Sequence, residues 1–126
     1  MFIRQDNQDY KELLDAIPSA AVVTGQAEQY QDVFGFWLYD NDSGEETTFI
    51  TECRQVLADK LSGTGESISS GERVYAVVAE DFYVTANPTG TAGTDYYYCG
   101  IARETRTADQ TQILIEFDGT RWDENI

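Results

Sequence analysis

Four carboxylates stand close together in the segment DNDSGEE: Asp40, Asp42, Glu45 and Glu46. Calcium is bound through oxygen, so this is the first place to look for a metal site. The spacing departs from the EF-hand loop, which needs a further Asp or Asn before its glycine and a glutamate well beyond it. With apolar runs on both sides, the segment reads instead as the solvated tip of a hairpin. The chain has no histidine, which removes the commonest proton shuttle, nucleophile-activating base and neutral metal ligand together. Cys53 and Cys99 have no metal-ligand spacing. Each lies in or beside an apolar run, which predicts two buried thiols, with a disulfide as the alternative. GTGES and GTAGTD lack the lysine of a phosphate-binding loop. Acidic pairs are abundant, but a two-carboxylate glycosidase also needs a sugar-sized groove, which 126 residues in this pattern rarely enclose. No catalytic, metal or cofactor residue is assigned, and the expectation is a protein that is not an enzyme.

The remaining chemical signal is aromatic. Trp37, Trp122 and the run Tyr96, Tyr97, Tyr98 supply more aromatic surface than one small core needs. Large amphipathic rings are favoured at protein interfaces. These residues, with Phe2, Ile3 and Arg4 near the N-terminus, form the candidate interface set.

Short strands must position them. VFGFWLYD and TTFITEC flank the acidic tip and read as two antiparallel strands of a hairpin from Val33 to Cys53. In the first strand Phe34, Phe36 and Leu38 face one way and Val33, Trp37 and Tyr39 the other. Both faces are apolar, as in a barrel wall covered on its outside by another segment or another subunit. In the second strand Phe49 and Cys53 fall on one face as core groups. Further strands are predicted at Ala20 to Thr24, Arg73 to Glu80, Phe82 to Thr85, the YYYCGIA run, and Gln112 to Phe117 with Ile113, Ile115 and Phe117 inward. Gly100 marks a bulge or a close backbone approach. Asp9 to Ile17 leaves two readings open, one short helix stopped by Pro18, or extended chain. The sum is an all-β domain, a small antiparallel barrel or sandwich with an extended N-terminal arm and at most one short helix. Residues 1–12 form the arm, 13–118 the barrel and 119–126 a tail.

Twenty-three acids against eight bases give a net charge of −15. Duplex DNA, RNA and anionic membranes are poor direct partners for such a surface. The charge fits either adaptation to high salt or ordinary solubility, and the presence of only two lysines, Lys11 and Lys60, tilts toward a saline setting. No apolar run approaches the length needed to span a bilayer. The N-terminal twenty residues carry acids where a signal peptide has its apolar stretch, so export by that route is not expected.

The order of motifs, IPSAAVVTGQ, VFGFWLYD, GEETTFITECRQVLADK, ISSGERVYA, YCGIARE and QILIEF, resembles a family of small tailed-virus head decoration, or capsid-stabilising, proteins. Pro18, Ser19 and Gly25 match the family's first turn, and Phe34, Gly35 and Phe36 fall at its Val-Gly-Val strand. Gly71, Glu72, Val74 and Tyr75 match a Gly-Asp-x-Val-Tyr strand, and Gly100, Ile101 and Ala102 a late Gly-x-Ala strand. Cys53 to Val56 and the tyrosine run depart from the common pattern. The resemblance implies a small β-barrel on the outer surface of a virion, a homotrimer that bridges major capsid protein subunits, with the arm ordering on the shell or on a neighbouring protomer. The alternatives are a tail or head-completion ring protein, and a free protein- or carbohydrate-binding β module with a groove lined by the tyrosines.

Overall fold

The computed structural model describes residues 4–5 and 10–121, with residues 4–5 and 10–12 described by their backbone alone. Nine strands follow in chain order: β1 (Arg4–Gln5), β2 (Tyr10–Ala16), β3 (Ala27–Tyr30), β4 (Val33–Trp37), β5 (Thr47–Asp59), β6 (Arg73–Val77), β7 (Val84–Thr85), β8 (Tyr96–Ala102) and β9 (Gln112–Asp118). The one helical element among the described residues is a single 3₁₀ turn, Val78–Glu80. The all-β expectation holds. The segment left open between helix and extended chain is strand β2. The Ala20 to Thr24 stretch forms no strand, only a bridge between Val22 and Asn41, and the strand begun at Arg73 stops at Val77.

Seven strands make one curled antiparallel sheet in the order β3-β4-β5-β9-β8-β6-β7, and β1 and β2 pair only with β5. β5 is long because Thr, Ile, Phe and Val recur along it and suit a pleated, half-buried surface. On one edge it meets β4 through Phe36–Ile50 and Trp37–Phe49, then β9 from Glu52–Asp118 to Asp59–Gln112. On the other edge lie β2, from Tyr10–Cys53 to Ala16–Thr47, and β1. Gly119 joins the ends of β4 and β9: its N–H donates to the Thr51 carbonyl at 2.8 Å, and its carbonyl accepts from Phe34 N–H at 3.0 Å. At the far side of the curl, Lys60 bridges to Val84, and Leu61 N–H donates to the Val84 carbonyl at 3.0 Å. The last strand of the order thereby meets the chain just past the end of β5.

The main core lies inside this curl. Phe34, Phe36, Ile50, Cys53, Val56, Val74, Ala76, Cys99, Ile113, Ile115 and Phe117 are all fully buried there. Phe49, predicted to share a face with Cys53, lies instead on the opposite side. Register shifts fall on both sides of Cys53, opposite Glu12 on β2 and between Cys53 and Val56 on the β9 side, and one extra residue in a strand reverses the facing of those beyond it. Gly100 is the second irregular point. It sits at a register shift between β6 and β8 with φ +152°, and a Cβ there would lie 1.9 Å from the Glu116 carbonyl oxygen.

Gly100→Ala therefore meets both a backbone clash and an unfavourable φ. It should destabilise the domain by more than about 2 kcal/mol, read as a fall in the urea midpoint with an unchanged m-value.

Candidate functional site

Trp37 does not offer an exposed ring. It is wholly buried in a second core on the outer face of β4 and β5, with Ala16, Val22 and Phe49, and with Leu14, Tyr30 and Val33 packed against them. Trp37 and Phe49 meet edge to face at 4.7 Å between ring centroids, and the indole N–H donates to Glu28 Oε1. The apolar outer face foreseen for this strand is real, and of the two covers foreseen, another segment or another subunit, it is another segment that packs on it. Ala16 and Leu14 reach it from β2, and Val22 from the segment that follows.

The acidic tip holds that cover in place. Asp40 Oδ1 accepts from Thr24 N–H at 2.8 Å and from the Thr24 hydroxyl at 3.2 Å. Ser43 Oγ donates to the Ser19 carbonyl at 3.1 Å, and Gly44 N–H to the Pro18 carbonyl at 2.9 Å. Asn41 Nδ2 closes the tip on the Glu45 carbonyl at 2.6 Å. Among the described residues no group of three or more acidic or cysteine side chains is placed to hold a metal ion.

The tyrosines divide between two faces. Tyr96 and Tyr98 are buried beside Tyr75 in an edge-to-face cluster, with centroids 5.4 and 5.7 Å from Tyr75. Their rings are thus unavailable as an exposed groove lining. Tyr97, half-buried on the opposite face, stacks 5.3 Å from Phe34 and 6.1 Å from Phe82. Burial pushes the Tyr98 phenol above its ordinary range; Arg121, hydrogen-bonded to it and 5.5 Å from the ring centroid, pulls the other way. Arg4 is placed in β1, with its backbone opposite Leu57. Phe2, Ile3 and Trp122 lie outside the described residues. Cys53 and Cys99 are buried thiols with no disulfide between them, and burial pushes the Cys99 thiol far up.

A different set of side chains is available for contact. Among the described residues the exposed large apolar groups are Leu13, Ile17, Val23, Tyr39 and Val78. Four of the five belong to one module: Leu13 on β2, Ile17 and Val23 on the cover segment after it, and Tyr39 just past the end of β4. The sequence reading missed them because Leu13, Leu14 and Ile17 have near-helical spacing. In a strand the same residues split, with Leu14 inward and Leu13 and Ile17 outward.

At the opposite end, Lys60 plugs the closure of the curl. Its side chain is buried, and Nζ donates to the carbonyls of Leu61 at 2.8 Å and Gln110 at 3.1 Å. Burial pulls this ammonium below the ordinary lysine range, opposed by the Glu66 and Asp109 carboxylates. A surface cavity of about 450 Å³ adjoins it, lined also by Ser62, Glu80, Asp81, Tyr83 and Thr111. With two carbonyls already on the ammonium, Lys60 acts as a structural donor. Comparison with protein-family models, with curated proteins and with solved structures finds no match to this chain.

Lys60→Met leaves the Leu61 and Gln110 carbonyls without their donor and should cost about 1–3 kcal/mol, measured by urea denaturation at neutral pH. Tyr98 gives a pH-dependent test. Its folded-state pKa lies above the 10.0 of the unfolded chain, so above pH 10 the unfolded state loses the proton first and stability falls as pH rises. Tyr98→Phe should flatten that fall, seen as a smaller loss in urea midpoint between about pH 9 and about pH 11.

Proposed function

We propose that this chain is a non-enzymatic structural protein that decorates and stabilises the outside of an icosahedral viral capsid, as a homotrimer bridging major capsid protein subunits. The observation that carries the reading is the placement of Leu13, Ile17, Val23 and Tyr39 on one module of an otherwise strongly acidic chain. Exposed apolar side chains on a strongly charged chain suit contact with a protein partner. The motif order from Pro18 to Phe117 supports the same assignment through its resemblance to capsid-stabilising proteins. A protein that binds only the assembled shell stabilises it by mass action and gives nothing to separated subunits. Strong negative charge fits a partner that is protein rather than nucleic acid, and keeps decorated particles apart. The buried positions of Tyr96 and Tyr98 leave the tyrosine-lined groove of a free binding module without support.

The native chain should sediment with intact tailed-virus capsids stripped of their own decoration protein, and should run in solution as a particle three times the 14.2 kDa chain mass. A Leu13→Asp, Ile17→Asp, Tyr39→Asp variant should keep its β circular dichroism and lose at least about tenfold in capsid affinity. Sedimentation of the variant equal to the native chain's, or a native chain that stays in the supernatant, overturns the assignment.

A further inference from the structure

Lys60 is the one buried charged side chain among the described residues, and it stands in the wall of an open cavity. Its ammonium has three N–H groups, of which the carbonyls of Leu61 at 2.8 Å and Gln110 at 3.1 Å take two. The cavity, of about 450 Å³, falls within the roughly 300–1,000 Å³ of small-molecule sites. Around the ammonium the wall supplies the hydroxyls of Ser62 and Thr111, the carboxylates of Glu80 and Asp81, and the Tyr83 phenol. Ser62, Glu80 and Thr111 are exposed, and among the described residues no hydrogen bond engages their side chains. We propose that this cavity is a binding site for a neutral saccharide.

Charge selects that class of ligand. Two carboxylates on a chain of net charge −15 repel phosphates and other anions. The Lys60 ammonium opposes a cation, and among the described residues no three acidic or cysteine side chains are placed to hold a metal ion. A neutral polyol meets both signs: its hydroxyls donate to Glu80 and Asp81, and its oxygens accept from Lys60, Ser62 and Thr111. Tyr83 is half-buried and packed against the main core, so its ring is held in place for the C–H face of a sugar.

The turn that carries both carboxylates has a costly backbone. Asp81 and Phe82 have φ values of 54° and 62°, two successive non-glycine residues in the left-handed region. Phe82 is pinned there by Phe34 at 5.7 Å and Tyr97 at 6.1 Å between ring centroids, and its N–H donates to the Val77 carbonyl at 2.9 Å. That anchorage fixes Asp81 in the cavity wall. Backbone outliers of this kind persist where the surroundings over-determine them, and they cluster at ligand sites.

The cavity shares no residue with the Leu13, Ile17, Val23 and Tyr39 module, so the inference stands apart from the capsid assignment and is tested on the isolated chain. The isotope-labelled native protein is titrated to millimolar concentration with the methyl glycosides of glucose, galactose, mannose and N-acetylglucosamine, and separately with inorganic phosphate. At least one glycoside should shift the backbone amide signals of Ser62, Glu80, Asp81 and Thr111 in a saturable way, and phosphate none of them. A Glu80→Gln, Asp81→Asn variant keeps the size of both side chains and should weaken that binding at least about tenfold. An Asp42→Asn, Glu45→Gln variant makes the same charge change at the acidic tip and should bind as the native chain does. Absence of any glycoside shift at those four amides, equal binding by the Glu80 and Asp81 variant, or phosphate bound in place of the glycosides overturns the inference.

Discussion

A single strand with both edges occupied along its length ties this molecule together. β5 runs for 13 residues, further than any neighbour, so each of its edges is served by two strands placed end to end: β4 then β9 on one side, β2 then β1 on the other. Buried backbone N–H and C=O groups must be paired, and a long strand forces its neighbours into register over that whole length. The bulge at Cys53 lets the two halves of β5 face different directions. Gly119 stitches the handover between β4 and β9, and a Cβ there would lie 1.6 Å from the Phe34 carbonyl oxygen, so the join tolerates only glycine.

From that strand follow two cores of opposite outlook. The inner one, around Phe34, Phe36, Ile115 and Phe117, fills the curl. The outer one, around Trp37 and Phe49, exists because β4 is apolar on both faces, and it needs a lid. The chain supplies the lid from β2 and the segment after it, fastened by the hydrogen bonds of the acidic tip. A lid thin enough to be made of one strand and one loop leaves apolar side chains on its outside. Leu13, Ile17 and Val23 are exposed on β2 and the segment after it, and they carry the proposed contact with other proteins.

Much of the fold was legible along the chain. The alternation in Gln112 to Phe117, the two-sided apolar pattern of Val33 to Tyr39 and the bulge at Gly100 all read correctly, because period-2 patterning and glycine report local backbone demands. Strand β3 was not legible: AEQY buries only its alanine fully and carries no apolar run. The candidate site was read less well. Trp37, Tyr96 and Tyr98 were chosen for contact because aromatic residues are common at interfaces, yet aromatic residues are equally the largest groups available to a core, and composition does not separate the two uses.

What the amino-acid sequence determined by itself was the all-β class, the inward and outward faces of β4 and β9, the lack of a histidine-based site, and a net charge of −15. These follow from residue type and near-neighbour spacing. The tertiary structure alone decided that β2 is a strand laid on β5, that Trp37 is covered from within, that the Asp40 carboxylate is engaged with Thr24, and that Leu13, Ile17, Val23 and Tyr39 are the side chains left outside. Each depends on contacts between residues distant along the chain. Whether an apolar side chain is core or surface is set by what folds over it, and periodicity carries no record of that.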